Sequence, residues 1–133
     1  MPRIDANIIV RYLTADPPEH AERARELIAK VSTGAAELLL EEVILAEVVW
    51  TMSSFYRRGR GEIAGALTEL LALAHLTAAD KPALQDAVAL FGRRNLDFAD
   101  ALLAAKALRS NDPVIYSFDH DFDGITGVVR KAP

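Results

Sequence analysis

The 133-residue chain has no cysteine, which excludes disulfide scaffolds, thiolate-zinc centres and cysteine nucleophiles and fits a reducing compartment. Histidine is scarce as well: His20, His75 and His120 stand far apart with no ligand spacing, so an imidazole-based zinc, copper or iron site has no support. There is no excess of positive charge, since 19 acidic residues face 15 Lys plus Arg for a formal charge of −4. A nucleic-acid binder that works by broad phosphate neutralisation carries the opposite balance, so any such contact has to use local basic patches or bound metal. No glycine-rich phosphate loop and no Gly-x-Ser-x-Gly elbow occurs. Charges interrupt every apolar stretch before membrane-spanning length, and Met1-Pro2-Arg3-Ile4-Asp5 lacks a signal-type apolar run. The expectation is a cytoplasmic protein with no membrane anchor.

What is present is a globular composition, 51% hydrophobic and 26% charged, in a length that suits one domain over 1–133 with a real core. Ile8, Ile9, Tyr12 and Leu13 form one apolar stripe, which Asp16-Pro17-Pro18 ends because proline cannot continue a helix. From Pro18 to Val31, Ala24, Leu27, Ile28 and Val31 recur at helical spacing, and Ser32-Thr33-Gly34 stops the run. Glu37 to Leu40 reads as a short buried strand before a long helix carrying Val43, Ile44, Val48, Val49, Trp50, Met52 and Phe55. After the basic turn Arg57-Arg58-Gly59-Arg60-Gly61, a further helix spans Ile63 to Ala74, and Leu76 to Ala78 makes a small strand. Leu84, Ala87, Val88 and Phe91 mark a helix terminated at Gly92. Asp97 to Leu108 is apolar on nearly all sides, as for a central helix packed between layers. Val114 to Ser117 and Val128 to Arg130 are strands by their β-branched and aromatic content. Short strands alternating with helices predict an α/β fold, a three-layer α/β/α sandwich with a short, mainly parallel central sheet.

In such sheets ligands bind beyond the strand C-termini, and four acids fall there. Asp5 follows the first strand, Asp119 follows Val114 to Ser117, Asp100 lies in the first turn of its helix, and Glu47 sits in the helix after Leu38 to Leu40. Two unit charges ~4 Å apart repel by roughly 4 kcal/mol at an effective dielectric of about 20. Clustered carboxylates therefore call for a cation, and oxygen donors alone favour Mg²⁺ or Mn²⁺. Glu47, flanked by apolar residues, is expected to be buried and so to need a ligand or a basic partner. Asp97 has a simpler reading, as an N-cap worth about 1 kcal/mol.

The segments Ile4-Asp5-Ala6-Asn7-Ile8-Ile9, Leu45-Ala46-Glu47-Val48-Val49-Trp50, Asp97-Phe98-Ala99-Asp100-Ala101-Leu102 and Ser117-Phe118-Asp119-His120-Asp121-Phe122 stand in an order and at separations that resemble the PIN-domain ribonucleases, specifically the VapC-type toxins of toxin–antitoxin pairs. The resemblance implies a metal-dependent nuclease of the type II systems, in which Asp5, Glu47, Asp100 and Asp119 hold the metal and Asn7 orients substrate or supports the ligands. It further implies hydrolytic RNA cleavage by an activated water leaving a 5′-phosphate, and a cognate antitoxin that places an apolar segment in a groove and a basic side chain against the acids. Ala6 departs from the pattern, standing where a hydroxyl residue is common, and Glu42 stands where small polar residues are common. Asp97 and Asp121 are additional carboxylates beside the set, as direct or water-mediated ligands.

Other residues carry competing readings. Arg57, Arg58 and Arg60 form either a solvated turn or an RNA-phosphate contact, and Arg93 and Arg94 are alike in this. His120 adjoins the site as a substrate contact or a solvated side chain. Trp50, Phe55 and Tyr56 read as core or subunit interface before base-stacking platforms. The helices bearing Ile8, Ile9, Tyr12, Leu13 and Val48, Val49, Met52, Phe55, Tyr56 offer more apolar surface than one small sheet covers, which predicts a homodimer. Two other classes compete with the nuclease. A phosphate-accepting receiver domain would show an acidic doublet after its first strand and a lysine after its last core strand, both missing, and a non-catalytic interaction domain would have no use for the acids.

Overall fold

The computed structural model describes all residues, Met1–Pro133. Helix α1 (Ala6–Thr14) begins where the Asp5 carboxylate accepts the Ala6 N–H, and it ends at Ala15 in the left-handed region. Helix α2 (Pro18–Thr33) has proline at its first position, where no N–H is needed, and stops at Gly34 with φ of 83°. After β1 (Leu38–Leu39) come α3 (Glu42–Ser54) and α4 (Arg60–Leu71), then β2 (Leu76–Thr77), α5 (Lys81–Arg93) and α6 (Phe98–Arg109). The chain closes with β3 (Val114–Tyr116), a 3₁₀ turn (His120–Gly124) and β4 (Val129–Lys131).

The strands are short and all pairings are parallel. Leu38 stands opposite Leu76 and Leu39 opposite Thr77. On the other side of β1, Arg3 bridges Leu39, with the Leu39 N–H donating to the Pro2 carbonyl at 2.8 Å and the Ile4 N–H to the Leu39 carbonyl at 3.1 Å. β3 pairs with β4 from Val114 opposite Val129 to Tyr116 opposite Lys131. Helices joining parallel strands give the three-layer α/β/α arrangement the alternation predicts. No helix is long and apolar enough to cross a membrane.

The core runs through all three layers, with Ile9, Leu45, Val48, Leu67, Leu76, Leu84 and Ala101 fully enclosed and no polar or charged residue buried. Three expectations need correction. Gly92 does not terminate α5 but lies in its last turn, where a Cβ would stand 2.6 Å from the Ala64 Cβ of α4. Helix α6 buries one face, Phe98, Ala101, Ala104 and Ala105, and exposes Leu103 and Leu108. Its alanines let α5 approach closely, so one narrow face suffices. Finally, Ile9, Val48, Val49 and Met52 lie inside the protein's own core, so four of the nine side chains read as a dimer surface are used internally.

Candidate active site

Asp5 is exposed at the N-cap of α1, its Oδ1 accepting the Ala6 N–H at 2.8 Å. Two residues on, exposed Asn7 lines a cavity between α1 and α2 together with Arg11, His20 and Arg23. Glu47, expected to be buried, is exposed on α3. The apolar residues around it in sequence, Val48 and Val49, turn to the core on other faces of the helix. No basic group pairs with it. Glu47 and Asp97 instead line a groove of about 840 Å³ with the apolar side chains of Val43, Trp50, Phe91 and Phe98.

Asp97 occupies the N-cap position of α6, yet its carboxylate makes no capping bond; the Ala101 N–H bonds to the Asp97 carbonyl at 3.0 Å. The capping expectation therefore fails, and the carboxylate stays free. Asp100, partly buried in the first turn of α6, has its pKa raised above the ordinary aspartate value, first by desolvation and then by the charges of Asp97, Asp119 and Asp121. Those four carboxylates thus share one region. Asp119 caps the 3₁₀ turn: its Oδ1 accepts the Asp121 N–H at 2.9 Å, and its own N–H donates to the Ser117 Oγ at 2.9 Å.

The loop holding Asp119 is tied down by Arg130 and Asp123, two residues that sequence reasoning missed. Arg130 on β4 donates from Nε to the Asp123 Oδ1 at 2.7 Å and from Nη1 to the Ser117 carbonyl at 3.0 Å. His120 Nδ1 lies 2.9 Å from the Asp123 Oδ2 and 3.1 Å from the Arg130 Nη2. The hydrogen bonds from Arg130 and His120 lower the Asp123 pKa, and Asp123 in turn raises that of Arg130. His120 is therefore an anchored side chain rather than a free one. Only the parallel register, which sets Ile115 opposite Arg130, brings Arg130 to this loop, and no local motif announces it.

The basic turn divides. Arg57 is exposed in the left-handed region at φ of 54°. Arg58 Nη1 pairs with the Glu62 Oε2 at 2.6 Å. Arg60, grouped with them as a phosphate contact, is committed elsewhere: Nη1 donates to the Phe91, Arg94 and Leu96 carbonyls at 3.3, 3.1 and 2.6 Å, and the guanidinium lies 4.4 Å from the Phe91 ring centroid. It closes the end of α5. Arg94 likewise donates to the Gly124 carbonyl at 2.6 Å.

The structure thus gathers Asp97, Asp100, Asp119 and Asp121, links Glu47 to Asp97 across a groove, and sets Asp5 at the start of α1. No three of these side chains close around one point at metal-ligand distances. The donor chemistry nevertheless fits a hard divalent cation, because the oxygens are carboxylate and the mutual repulsion at Asp100 is unneutralised. A VapC ribonuclease from Aquifex aeolicus (strain VF5) is 22% identical to the chain over 122 residues, covering 92% of this chain and 90% of that protein. The family model for the PIN domain matches residues 4–128. That span includes Asp5, Glu47, Asp100 and Asp119, and the chain belongs to the PIN-domain family.

Proposed function

We propose that the chain, acting as a single nuclease domain, is a Mg²⁺- or Mn²⁺-dependent ribonuclease and the toxin of a type II toxin–antitoxin pair. The observation that supports this reading most is the PIN-domain match over residues 4–128, together with Asp97, Asp119 and Asp121 standing close enough to the partly buried Asp100 to raise its pKa. Such an arrangement is costly unless it serves to bind a cation. Asp5, Glu47, Asp100 and Asp119 would hold the metal, with Asp97 and Asp121 as direct or water-mediated ligands. When bound, the metal supplies Lewis acidity that polarises a phosphoryl oxygen and lowers the pKa of a water.

The protein's own groups do the rest. Asn7 orients substrate beside Asp5, and the Arg130–Asp123–His120 network keeps the Asp119 loop in register. The groove beside Glu47 and Asp97, apolar along Val43, Trp50 and Phe98, suits the apolar segment of a cognate antitoxin, whose basic side chain would reach the acids and block them. A homodimer remains part of the reading, through apolar side chains exposed outside the groove such as Phe55, Leu103 and Tyr116; the mass in solution tests it, and a strictly monomeric protein counts against it.

Cleavage of a structured RNA by the purified, partner-free protein tests the mechanism. Activity is expected only with Mg²⁺ or Mn²⁺, and Asp5→Asn, Glu47→Gln, Asp100→Asn and Asp119→Asn should each lower it by ~10-fold to 100-fold or more. Full activity in excess chelator, or in the Asp5 and Asp100 variants, would overturn the mechanism.

A further inference from the structure

A ribonuclease with a net charge of −4 and an acidic face needs a place where the RNA backbone is attracted. The basic turn at Arg57 to Arg60 supplies little, since Arg58 is paired and Arg60 is spent on carbonyls. The cavity between α1 and α2 is different. It has a volume of about 470 Å³, and Asn7, Arg11, His20 and Arg23 line it over the apolar Ile8 and Leu27, with no carboxylate among its lining residues. Each of the other sizeable cavities includes at least one acidic side chain.

Its basic groups are available. Arg11 is oriented by donating from Nη1 to the Asp16 carbonyl at 3.2 Å and the Tyr56 hydroxyl at 3.3 Å, which leaves Nε and Nη2 free to donate. Arg23 enters no ion pair, although Glu19 and Glu26 lie at helical spacing from it. Its neighbour Arg25 pairs with Glu22 instead. The location is also informative: Asp5 caps the helix whose first turn carries Asn7, and Arg11 follows one turn later, about 6 Å along the axis. A strand lying against Asp5 would pass this cavity within one or two nucleotides.

We infer that the cavity between α1 and α2 binds a backbone phosphate of the RNA substrate, adjoining the phosphodiester cleaved at the acidic face, with Arg23 and Arg11 as its charged donors and Asn7 and His20 as further donors. This rests on the ribonuclease reading. Guanidinium groups recognise phosphate oxygens through paired, charge-assisted hydrogen bonds. A contact away from the reacting bond holds ground state and transition state alike, so it acts on KM and leaves kcat alone.

Binding of a short single-stranded RNA to Asp100→Asn protein in chelator separates this contact from cleavage. Arg23→Ala should weaken binding about tenfold, Arg23→Glu should weaken it further, and Arg23→Ala should flatten the dependence of log affinity on log salt by about 0.7, the loss of one phosphate contact. In the otherwise native enzyme with Mg²⁺, Arg23→Ala should raise KM at unchanged kcat, whereas Arg25→Ala should change neither. Affinity and salt slope equal to the parent's in both Arg23 variants would overturn the proposal while leaving metal-dependent cleavage intact. Loss of antitoxin binding with RNA binding untouched would overturn it too, by assigning the cavity to an acidic peptide. No RNA cleavage by the parent protein with Mg²⁺ or Mn²⁺ would instead mark failure of the ribonuclease reading.

Discussion

Asp100 sets the pH behaviour of the acidic face. Its folded pKa lies above the unfolded value of about 3.9, because burial and the charges of Asp97, Asp119 and Asp121 all oppose ionisation. The folded state therefore binds the proton more tightly, and stability is lost as pH rises from the unfolded pKa through the folded one. Asp123 has the opposite sign. Its pKa is lowered by Arg130 and His120, so its contribution is present above the unfolded pKa and disappears as pH falls through the folded value. In chelator at neutral pH, Asp100→Asn should raise the melting temperature, the gain shrinking as pH approaches 4. Mg²⁺ should stabilise the parent protein more than the variant. A clear loss of stability in Asp100→Asn would mean that the carboxylate is structurally needed rather than electrostatically costly.

At the scale of elements, Gly92 is where α4 and α5 meet, its missing side chain leaving room for Ala64. Gly92→Ala should destabilise by about 1–3 kcal/mol through overpacking, despite the higher helix propensity of alanine. Thermal melting checks this; a variant as stable as the parent would show that the two helices separate freely. Helix α5 was legible because its apolar residues, Leu84, Ala87, Val88 and Phe91, keep one face and are all buried. Helix α3 was legible as a helix, but its buried face was not, because apolar residues surround it. Periodicity then says little about which side faces water, and it exposes Val43 and Trp50 while burying Val48 and Met52. The exposure of Glu47 follows from that same ambiguity. The candidate acids could be picked out from their places at strand ends and helix starts. The duties of Arg60 and Arg130 could not, since both reach partners distant in sequence, 31 residues away for Phe91 and 13 for Ser117.

Over the whole molecule, charge is sorted rather than spread. Acids gather around Asp100 on α6, and a basic cavity lies between α1 and α2 at Arg11 and Arg23, so the modest net charge conceals two regions of opposite sign. On the proposed ribonuclease reading RNA would use both, the cation-loaded acids for chemistry and the basic cavity for grip. An antitoxin that supplies an apolar segment and a basic side chain would engage only the groove and the acids.

Trp50 forms part of that groove's wall, 67% exposed in the same lining as Glu47, and it is the chain's single tryptophan. The protein therefore carries its own optical label in the groove proposed for the partner. Ultraviolet emission from the free protein should be that of a wetted indole and should yield readily to a soluble quencher. Seating the antitoxin segment should shift the emission to shorter wavelength and shield it, in step with the loss of RNA cleavage. Unchanged emission in an inhibited complex would mean that the partner silences the protein from some other face.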